Sequence, residues 1–322
     1  MVHVTDVALG YAISSEEHAP DALVRNARRA EAIGFEYALI SDHFHPWTSR
    51  QGESPFVWGV IGAIAEATDD LRLGTGVTCP TIRMHPAIVA HAAATAAVQL
   101  PDRFFLGVGT GENLNEHVHG DRWPPHDVRL EMLEEAVDVI RSLWEGGMQS
   151  HRGTHYTVEN AQLFTLPDSP PPIHVAAGGP SAASAAAEIG DGLITTAPDA
   201  GLVDTFSDAG GDGPTYGQMT ACWAETADEA REIAYEWWPN GAIGGELGQL
   251  LPTPAHFEQA AELVEPEDLA ETIPTGPDPD EHVETIETYA DAGYDHVYVH
   301  QIGPDQEGFF EFYEEEVLPR FA

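Results

Sequence analysis

Residues 71–116, LRLGTGVTCPTIRMHPAIVAHAAATAAVQLPDRFFLGVGTGENLNE, hold two short apolar runs with an alanine-rich stretch between them. The runs at 71–77 and 103–109 have the length and composition of buried strands, and residues 86–100 have those of a helix. A strand, a helix and a second strand in this order predict a parallel βαβ unit. Polar, glycine-rich segments follow both strands, at the edge of a parallel sheet where ligands bind.

The same alternation continues along the rest of the chain. Further strands are predicted at 7–13, 38–41, 173–177, 193–196, 216–223 and 296–302, which makes eight in all. Further helices are predicted at 20–34, 55–68, 127–145, 181–189, 226–238 and 307–320. This rhythm predicts an α/β fold, a (β/α)8 TIM barrel, with a doubly wound open sheet as the structural alternative.

We expect one domain over residues 1–322, with two stretches that do not fit the repeat. Residues 146–171 resemble a hairpin-like excursion between a helix and the fifth strand. Residues 239–275 are rich in proline and glycine around one helical patch, and predict an insertion at the barrel mouth. Long loops at a barrel mouth commonly serve as lids or substrate walls.

Charge is the most unusual feature of the composition. The 13 basic residues are all arginine, against 54 aspartates and glutamates, so the net charge is −41. Such a surface repels itself at low salt, whereas at molar salt the Debye length falls to about 3 Å. We interpret this haloarchaeal-type acidic composition as halophilic adaptation to a salt-saturated cytoplasm. Nucleic acids and anionic membranes are poor partners for such a surface.

The remaining composition favours a soluble, cytoplasmic protein. Hydrophobic residues make up 43% of the chain, enough for a large core, and no run of eighteen apolar residues occurs. The N-terminal segment lacks the pattern of a signal peptide. Two cysteines are too few for a disulfide framework or a cysteine-rich zinc site.

Four loops that follow predicted strands are unusually polar or rich in glycine. They are SDHFHPW (41–47), GTGVTCPT (74–81), GVGTGENLNE (107–116) and AAGGP (176–180). Because the carboxyl ends of all barrel strands open on one face, these loops should meet there. Their combination predicts a single site at the barrel mouth.

The first loop carries groups suited to proton transfer. Asp42 and His43 supply a carboxylate and an imidazole, and Trp47 supplies a flat aromatic face. A capped helix start with a structural histidine is the alternative interpretation. The His-x-His pairs at 43–45 and 117–119 also resemble those of barrel metallohydrolases, but the lysine that often bridges two metals there is absent. We therefore predict no metal.

The loop after the fourth strand adds a carboxylate and an amide. Glu112 follows Gly111 directly, and with Asn115 it can reach the nitrogens and carbonyls of a planar ligand. Near the barrel axis, Glu112 is a candidate acid–base partner across from His43. Glu16, after the first strand, is a third candidate that could instead begin the first helix.

The AAGGP loop joins a strand to a helix. Free N–H groups and the helix dipole after Ala177, Gly178, Gly179 and Pro180 suit a phosphate without any lysine. An ordinary βα turn is the alternative. Cys79, in the second loop, is expected to be a small wall residue rather than a nucleophile.

These motifs, in this order, resemble the luciferase-like superfamily of flavin and deazaflavin barrels. SDHFHPW, FLGVGTGENLNE and AAGGP most resemble the F420-dependent glucose-6-phosphate dehydrogenase branch. The resemblance runs from Leu9 to about Thr196 and returns at 278–300. It implies a barrel that binds the 8-hydroxy-5-deazaflavin coenzyme F420, which takes a hydride from an alcohol carbon, and it implies a homodimer.

The resemblance also implies particular site residues. The family's aspartate, histidine and tryptophan match Asp42, His43 and Trp47, and its glutamates match Glu112 and Glu16. The remaining implied contacts are a non-proline cis peptide at Gly76–Val77 that supports the ring, and a phosphate-bearing tail against Gly178, Gly179 and Pro180. In this interpretation Asp42, Gly76, Val77, Gly111, Asn115 and Ala177 also belong to the cofactor wall.

One departure from the branch concerns the substrate phosphate. Lysines and an arginine in the second half of the family barrel hold it, whereas beyond residue 180 this chain has only Arg231 and Arg320, on predicted outer helices. Asp199 stands where the family lysine follows the sixth strand. We therefore predict a neutral alcohol or an unphosphorylated sugar, in a pocket shaped by Cys79, Thr196, Trp47 and the insertion.

The resulting hypothesis is hydride transfer from a carbinol carbon to C5 of F420. His43, oriented by Asp42, would take the hydroxyl proton, and Glu112 would act near N1 of the ring. Trp47 would brace the reacting centre and Glu16 would assist in proton handling. The alternatives are an FMN-dependent monooxygenase or methylene-pterin reductase, a barrel metallohydrolase, and a cofactor carrier without turnover.

Overall fold

The computed structural model describes residues 7–270 and 272–321. Residues 1–6, part of the segment in which no signal peptide is predicted, lie outside the described residues. The strands are β1 Ala8–Ile13, β2 Tyr37–Ile40, β3 Arg72–Thr75, β4 Phe104–Val108, β5 Gln149–Arg152, β6 Thr157–Ala161, β7 Ile173–Ala176, β8 Gly192–Thr195, β9 Thr215–Ala221 and β10 His296–Gln301.

The helices alternate with these strands. They are α1 Pro20–Ile33, α2 Val57–Ala67, α3 Pro86–Gln99, α4 Asn113–Glu116, α5 His126–Trp144, α6 Pro180–Ile189, α7 Ala200–Asp208, α8 Ala227–Trp237, α9 Glu246–Leu250, α10 Pro254–Ala261, α11 Pro266–Ala270, α12 Pro279–Asp291 and α13 Gln306–Phe312. Short 3-10 turns cover 117–119, 239–242 and 318–320, and a π turn covers 313–317. No helix among the described residues is both long and apolar enough to cross a membrane.

Eight of the strands close into a parallel barrel in the order β1-β10-β9-β8-β7-β4-β3-β2. The predicted TIM barrel is therefore confirmed, and the open doubly wound sheet is wrong. Two outer helices, α7 and α12, were not predicted. Asp199 caps α7, and Asp278 caps α12 just before Pro279, so both begin on polar signals inside segments that resemble loops.

Both stretches that break the repeat have structure of their own. The antiparallel pair β5–β6 lies within 146–171. The 239–275 stretch carries three short helices, α9, α10 and α11, where the sequence predicts one helical patch. The three helices are brief because prolines and glycines interrupt the stretch repeatedly.

Side chains fill the barrel below its mouth. Tyr37, Phe105, Tyr216 and Tyr298 are buried there and belong to one inner cluster. A β-carbon at Gly74 would lie 2.0 Å from the Phe105 ring, so glycine is needed for this packing. Because the interior is closed below, the space for a ligand lies at the carboxyl ends of the strands.

Buried histidines should make the fold sensitive to acid. Burial lowers the pKa of His174 and His282 to about 4, so both stay neutral in the folded protein, whereas the unfolded chain protonates near pH 6.5. The free energy of unfolding is therefore unaffected by these histidines above about pH 6.5. It falls as the pH drops towards 4, by up to about 3 kcal/mol for each histidine. Urea unfolding at constant high salt between pH 8 and pH 5 measures this loss.

Carboxylates also contribute to acid unfolding, so the test compares two proteins. His282→Gln keeps groups that can pair with Tyr313 and the Gly276 carbonyl, the present partners of His282. This variant should lose less stability than the wild type over the same pH range. Identical slopes in the two proteins would contradict the assignment.

Candidate active site

A single cavity opens at the barrel mouth and receives residues from all four predicted loops. Its volume is about 260 Å³, and it is open to solvent at the mouth. The predicted residues that line it are Glu16, Asp42, His43, Trp47, Gly76, Val77, Cys79, Gly111, Glu112, Asn115, Ala177, Gly178 and Thr196.

Glu16 is the carboxylate that faces His43. Its Oε1 lies 3.3 Å from His43 Nε2, and the two side chains are 3% and 11% exposed. Glu16 Oε2 accepts a hydrogen bond from the hydroxyl of Ser41. Trp47 lies beside the imidazole at 5.0 Å between ring centres and packs on Phe257 of the insertion. The alternative interpretation, in which Glu16 begins the first helix, is wrong, since α1 starts at Pro20 as predicted.

Asp42 does not orient His43, which corrects the sequence hypothesis. Its Oδ1 accepts a hydrogen bond from Arg83 Nη2 at 2.9 Å, and its Oδ2 accepts one from the Thr78 hydroxyl at 2.7 Å. Arg83 also lies 3.5 Å from a Glu116 oxygen, and its backbone N–H donates to the other oxygen at 2.7 Å. Asp42 thus ties the β2 loop to the β3 loop through buried charges.

Asn115 presents an unused donor to the cavity. Its Oδ1 accepts hydrogen bonds from the backbone N–H groups of Phe44 at 2.9 Å and His45 at 3.1 Å. Its Nδ2 is buried and has no hydrogen-bond partner among the described residues. Glu112 is half-buried nearby on the same loop. A buried amide donor left without a partner costs about 1–3 kcal/mol, so this site favours a ligand acceptor.

Close backbone contacts shape the wall between these loops. The Gly76–Val77 peptide is cis, as the family resemblance implies. Gly111 has φ +74°, and a β-carbon there would lie 2.5 Å from Cys79 Sγ, so glycine is required. Burial raises the pKa of Cys79 well above its usual value, which keeps the thiol protonated and suits a wall residue better than a nucleophile.

The AAGGP loop leaves open space at the start of α6. β-carbons added at Gly178 or Gly179 would meet no atom within 4 Å, and Gly179 has the extended φ of −169°. Pro180 occupies the first turn of the helix. Thr196 is exposed on the neighbouring β8 loop.

The wall made by β9, β10 and the insertion was missed by the sequence analysis. Gln218, Trp238, Gln249, Tyr298 and His300 line it. Tyr298 and His300 alternate along β10 and so both point into the barrel, a period-2 signal that was available in HVYVHQI. Glu17, which pairs with His300, directly follows Glu16 in the chain.

The two His-x-His pairs do not form a metal site. His45 and His117 stack at 6.0 Å between ring centres, but His43 faces Glu16 and His119 is exposed. Over residues 7–270 and 272–321, no group of three or more histidine, cysteine or acidic side chains could hold an ion.

The closed parallel barrel, with its polar cavity at the carboxyl ends of the strands, is a TIM barrel with a candidate active site. The family model for luciferase-like monooxygenases matches residues 2–296. The chain belongs to this family. It is 36% identical over 324 residues to the F420-dependent glucose-6-phosphate dehydrogenase of Microbacterium testaceum, covering 97% of this chain and 96% of that protein. The enzyme of the same name from Mycobacterium tuberculosis is 34% identical over 332 residues, with 98% of each chain covered.

Solved structures agree with this placement. An F420-dependent secondary alcohol dehydrogenase, in complex with an F420–acetone adduct, superposes with a TM-score of 0.91 at 30% identity, covering 98% of this chain and 99% of the other. The F420-dependent tetrahydromethanopterin reductase of Methanopyrus kandleri has a TM-score of 0.79 at 24% identity, with the same coverage of both chains, and shares the fold. The predicted resemblance to the F420-dependent branch is thereby confirmed.

Proposed function

We propose that this chain is an F420-dependent dehydrogenase that transfers a hydride between the carbinol carbon of an alcohol or sugar and C5 of the deazaflavin. The observation that carries the proposal is the Glu16–His43 pair, which faces the same cavity as the cofactor-type wall of Asn115 and the glycine loops. The relatives described above are named as F420-dependent dehydrogenases of glucose 6-phosphate and of secondary alcohols, which are CH–OH donors.

The residues of the cavity fit a planar cofactor with a phosphate-bearing tail. The unpartnered Asn115 Nδ2 offers a hydrogen bond to a ring acceptor. The open space beside Gly178 and Gly179 lets a tail approach the N-terminus of α6, where free N–H groups favour an anion. When bound, F420 supplies the carbon that accepts or returns the hydride.

The side chains of this chain handle the proton and the orientation. His43 takes the hydroxyl proton of the alcohol as the C–H bond breaks, and Glu16 stabilises the imidazolium that results. Trp47 holds the imidazole in place from one side. Glu112 provides a carboxyl group at the cofactor wall for hydrogen bonding or protonation near N1.

Cofactor titration tests the proposal. Quenching or polarisation of F420 fluorescence at high salt should show tighter binding of F420 than of FMN or NADP. Comparable or tighter FMN binding would move the function to the monooxygenase alternative. Reduction of bound F420 by an alcohol excludes a carrier without turnover.

Gly179→Trp should weaken F420 binding about tenfold or more, because the indole would fill the space meant for the tail and cover the helix N-terminus. The backbone tolerates this residue, so the melting temperature should change little. Gly59→Trp is a matched control, since Gly59 is exposed on α2 with no atom within 4 Å of an added β-carbon. Equal F420 affinities in the two variants would show that the phosphate-bearing tail of F420 does not bind at this loop.

We also propose a halophilic, cytoplasmic homodimer with an acidic surface. Net charge and the absence of lysine support halophily, and the dimer follows the family resemblance. Both cysteines are buried and free, which fits a reducing compartment.

Low salt should unfold or inactivate this protein. Between about 0.1 M and about 2 M KCl the Debye length shrinks from about 10 Å to less than 3 Å, which screens the repulsion among 54 acidic residues. Thermal unfolding across this range should give a melting temperature that rises with KCl. A series of sucrose concentrations provides the uncharged control. A melting temperature that does not change with KCl concentration would contradict halophily.

A further inference from the structure

The cavity contains a second carboxylate–imidazole pair that the proposed proton transfer does not use. Glu17 Oε2 lies 2.7 Å from His300 Nε2, and their side chains are 0% and 2% exposed. Glu17 Oε1 accepts a hydrogen bond from the Gly303 backbone N–H at 2.9 Å. Since the carboxylate accepts from Nε2, this nitrogen carries the proton and the ring orientation is fixed.

The other nitrogen of His300 has no partner. Nδ1 is buried and makes no hydrogen bond to any described residue, although His300 lines the cavity. The ring of Trp238 packs edge-on against the imidazole at 4.3 Å between ring centres. A buried polar atom without a hydrogen-bond partner costs about 1–3 kcal/mol. A hydroxyl group of a ligand in the cavity that donates to Nδ1 would remove this cost.

Barrel topology places His300 on the substrate side of the cavity. In the closed order of strands, β10 lies opposite β4, which precedes the Glu112 and Asn115 loop. β10 pairs directly with β1, the strand that precedes Glu16. A substrate held between the Glu16–His43 pair and the cofactor wall therefore has His300 on its free side.

We propose that His300 is a substrate-binding residue whose Nδ1 accepts a hydrogen bond from a second hydroxyl of the substrate, next to the carbinol served by His43. Glu17 is its positioning residue. The inference rests on the proposed function and names the substrate class more narrowly, as a neutral polyhydroxylated compound, a polyol or sugar, rather than a simple monohydric alcohol. The half-buried amides of Gln218 and Gln249 on the same wall suit further hydroxyls.

A matched pair of substrates tests this directly. 2,3-Butanediol differs from 2-butanol by one hydroxyl, so the ratio of their kcat/KM values isolates the second hydroxyl. The F420-loaded wild type should prefer the diol by about tenfold or more, the usual cost of leaving a buried acceptor unpaired. His300→Phe should bring the ratio close to one, mainly through a higher KM for the diol.

Two further variants complete the design. Glu17→Gln should also lower the ratio. His300 Nε2 and the Gly303 N–H donate to different oxygens of Glu17, and the amide NH2 group that replaces one of these oxygens cannot accept a hydrogen bond. His282→Gln, a buried histidine outside the cavity, should keep the wild-type ratio. Fluorescence titration should give all three variants the F420 affinity of the wild type.

Each other result overturns the inference. A wild type without diol preference, or a His300→Phe protein that keeps it, removes His300 from substrate binding. Loss of F420 affinity in His300→Phe would assign the residue to the cofactor instead. A wild type that binds no F420 at all would overturn the proposed function itself. A wild type that binds and reduces F420 but shows no diol preference would overturn only the role of His300.

Discussion

Replacing His43 with alanine should slow alcohol oxidation by about 10²–10⁴-fold, the usual worth of a positioned general base. The imidazole lines the cavity and its Nε2 lies 3.3 Å from Oε1 of the Glu16 carboxylate. F420 affinity should fall much less, because His43 acts on the alcohol proton. Single-turnover reduction of F420, followed by loss of its absorbance, measures the step.

Glu16→Gln should show whether the pair acts as a unit. A neutral amide cannot stabilise the imidazolium, so this variant should also be slow, and the double variant should be scarcely slower than His43→Ala alone. Glu112→Gln should slow turnover independently and keep the fold. His119→Ala, an exposed histidine, is the matched control and should turn over normally. Near-normal rates in both His43→Ala and Glu112→Gln would refute the acid–base assignment.

The barrel could be predicted because its signals are local. Short apolar runs, such as RFFLGVG, which contains β4, alternate with helical patterns, and both patterns can be recognised without knowledge of distant residues. The four mouth loops were predictable for the same reason, since barrel topology alone brings strand ends together. The helix α12 was missed because its capping aspartate and proline resemble a loop when they stand among other prolines.

The partners of the site residues could not be predicted, because they are distant in sequence. Asp42 and His43 are neighbours in the chain, but adjacent side chains in an extended segment point to opposite sides, so they serve different networks. His43 meets Glu16 and Asp42 meets Arg83. The Glu17–His300 pair joins residues 283 positions apart and leaves no trace in local spacing.

Glucose 6-phosphate should be a poor substrate compared with glucose. A phosphomonoester carries nearly two negative charges, and its recognition needs cationic side chains or several convergent N–H donors. Among the described residues that line the cavity there is no arginine, while Glu16 and Glu112 add negative charge. The sequence relatives named for this substrate are 34–36% identical, so the family alone does not guarantee the same preference.

Carboxylates already hold several of the arginines, whereas Arg129 donates to the Pro124 carbonyl and to Oε1 of Gln249, a residue of the cavity wall. Arg83 is 6% exposed and held between Asp42 and Glu116. Arg50 pairs with Glu236 at 2.8 Å and lies over the Trp237 ring. The arginines of the second half of the chain are also paired on the outside, Arg231 with Asp228 and Arg320 with Asp280.

We therefore expect kcat/KM for glucose 6-phosphate at least about tenfold below that for glucose in molar salt, which corresponds to one missing charge-assisted hydrogen bond of about 1.5–3 kcal/mol. Thr196→Lys would restore a cation at the mouth and should raise the ratio of the two values about tenfold. Thr196→Gln, similar in length but neutral, is the control and should leave the ratio low. A wild type that prefers the phosphorylated sugar would refute the neutral-substrate assignment. It would require Arg129 to turn away from Gln249, or Arg83 or Arg50 to leave its carboxylate partner, when the phosphate binds.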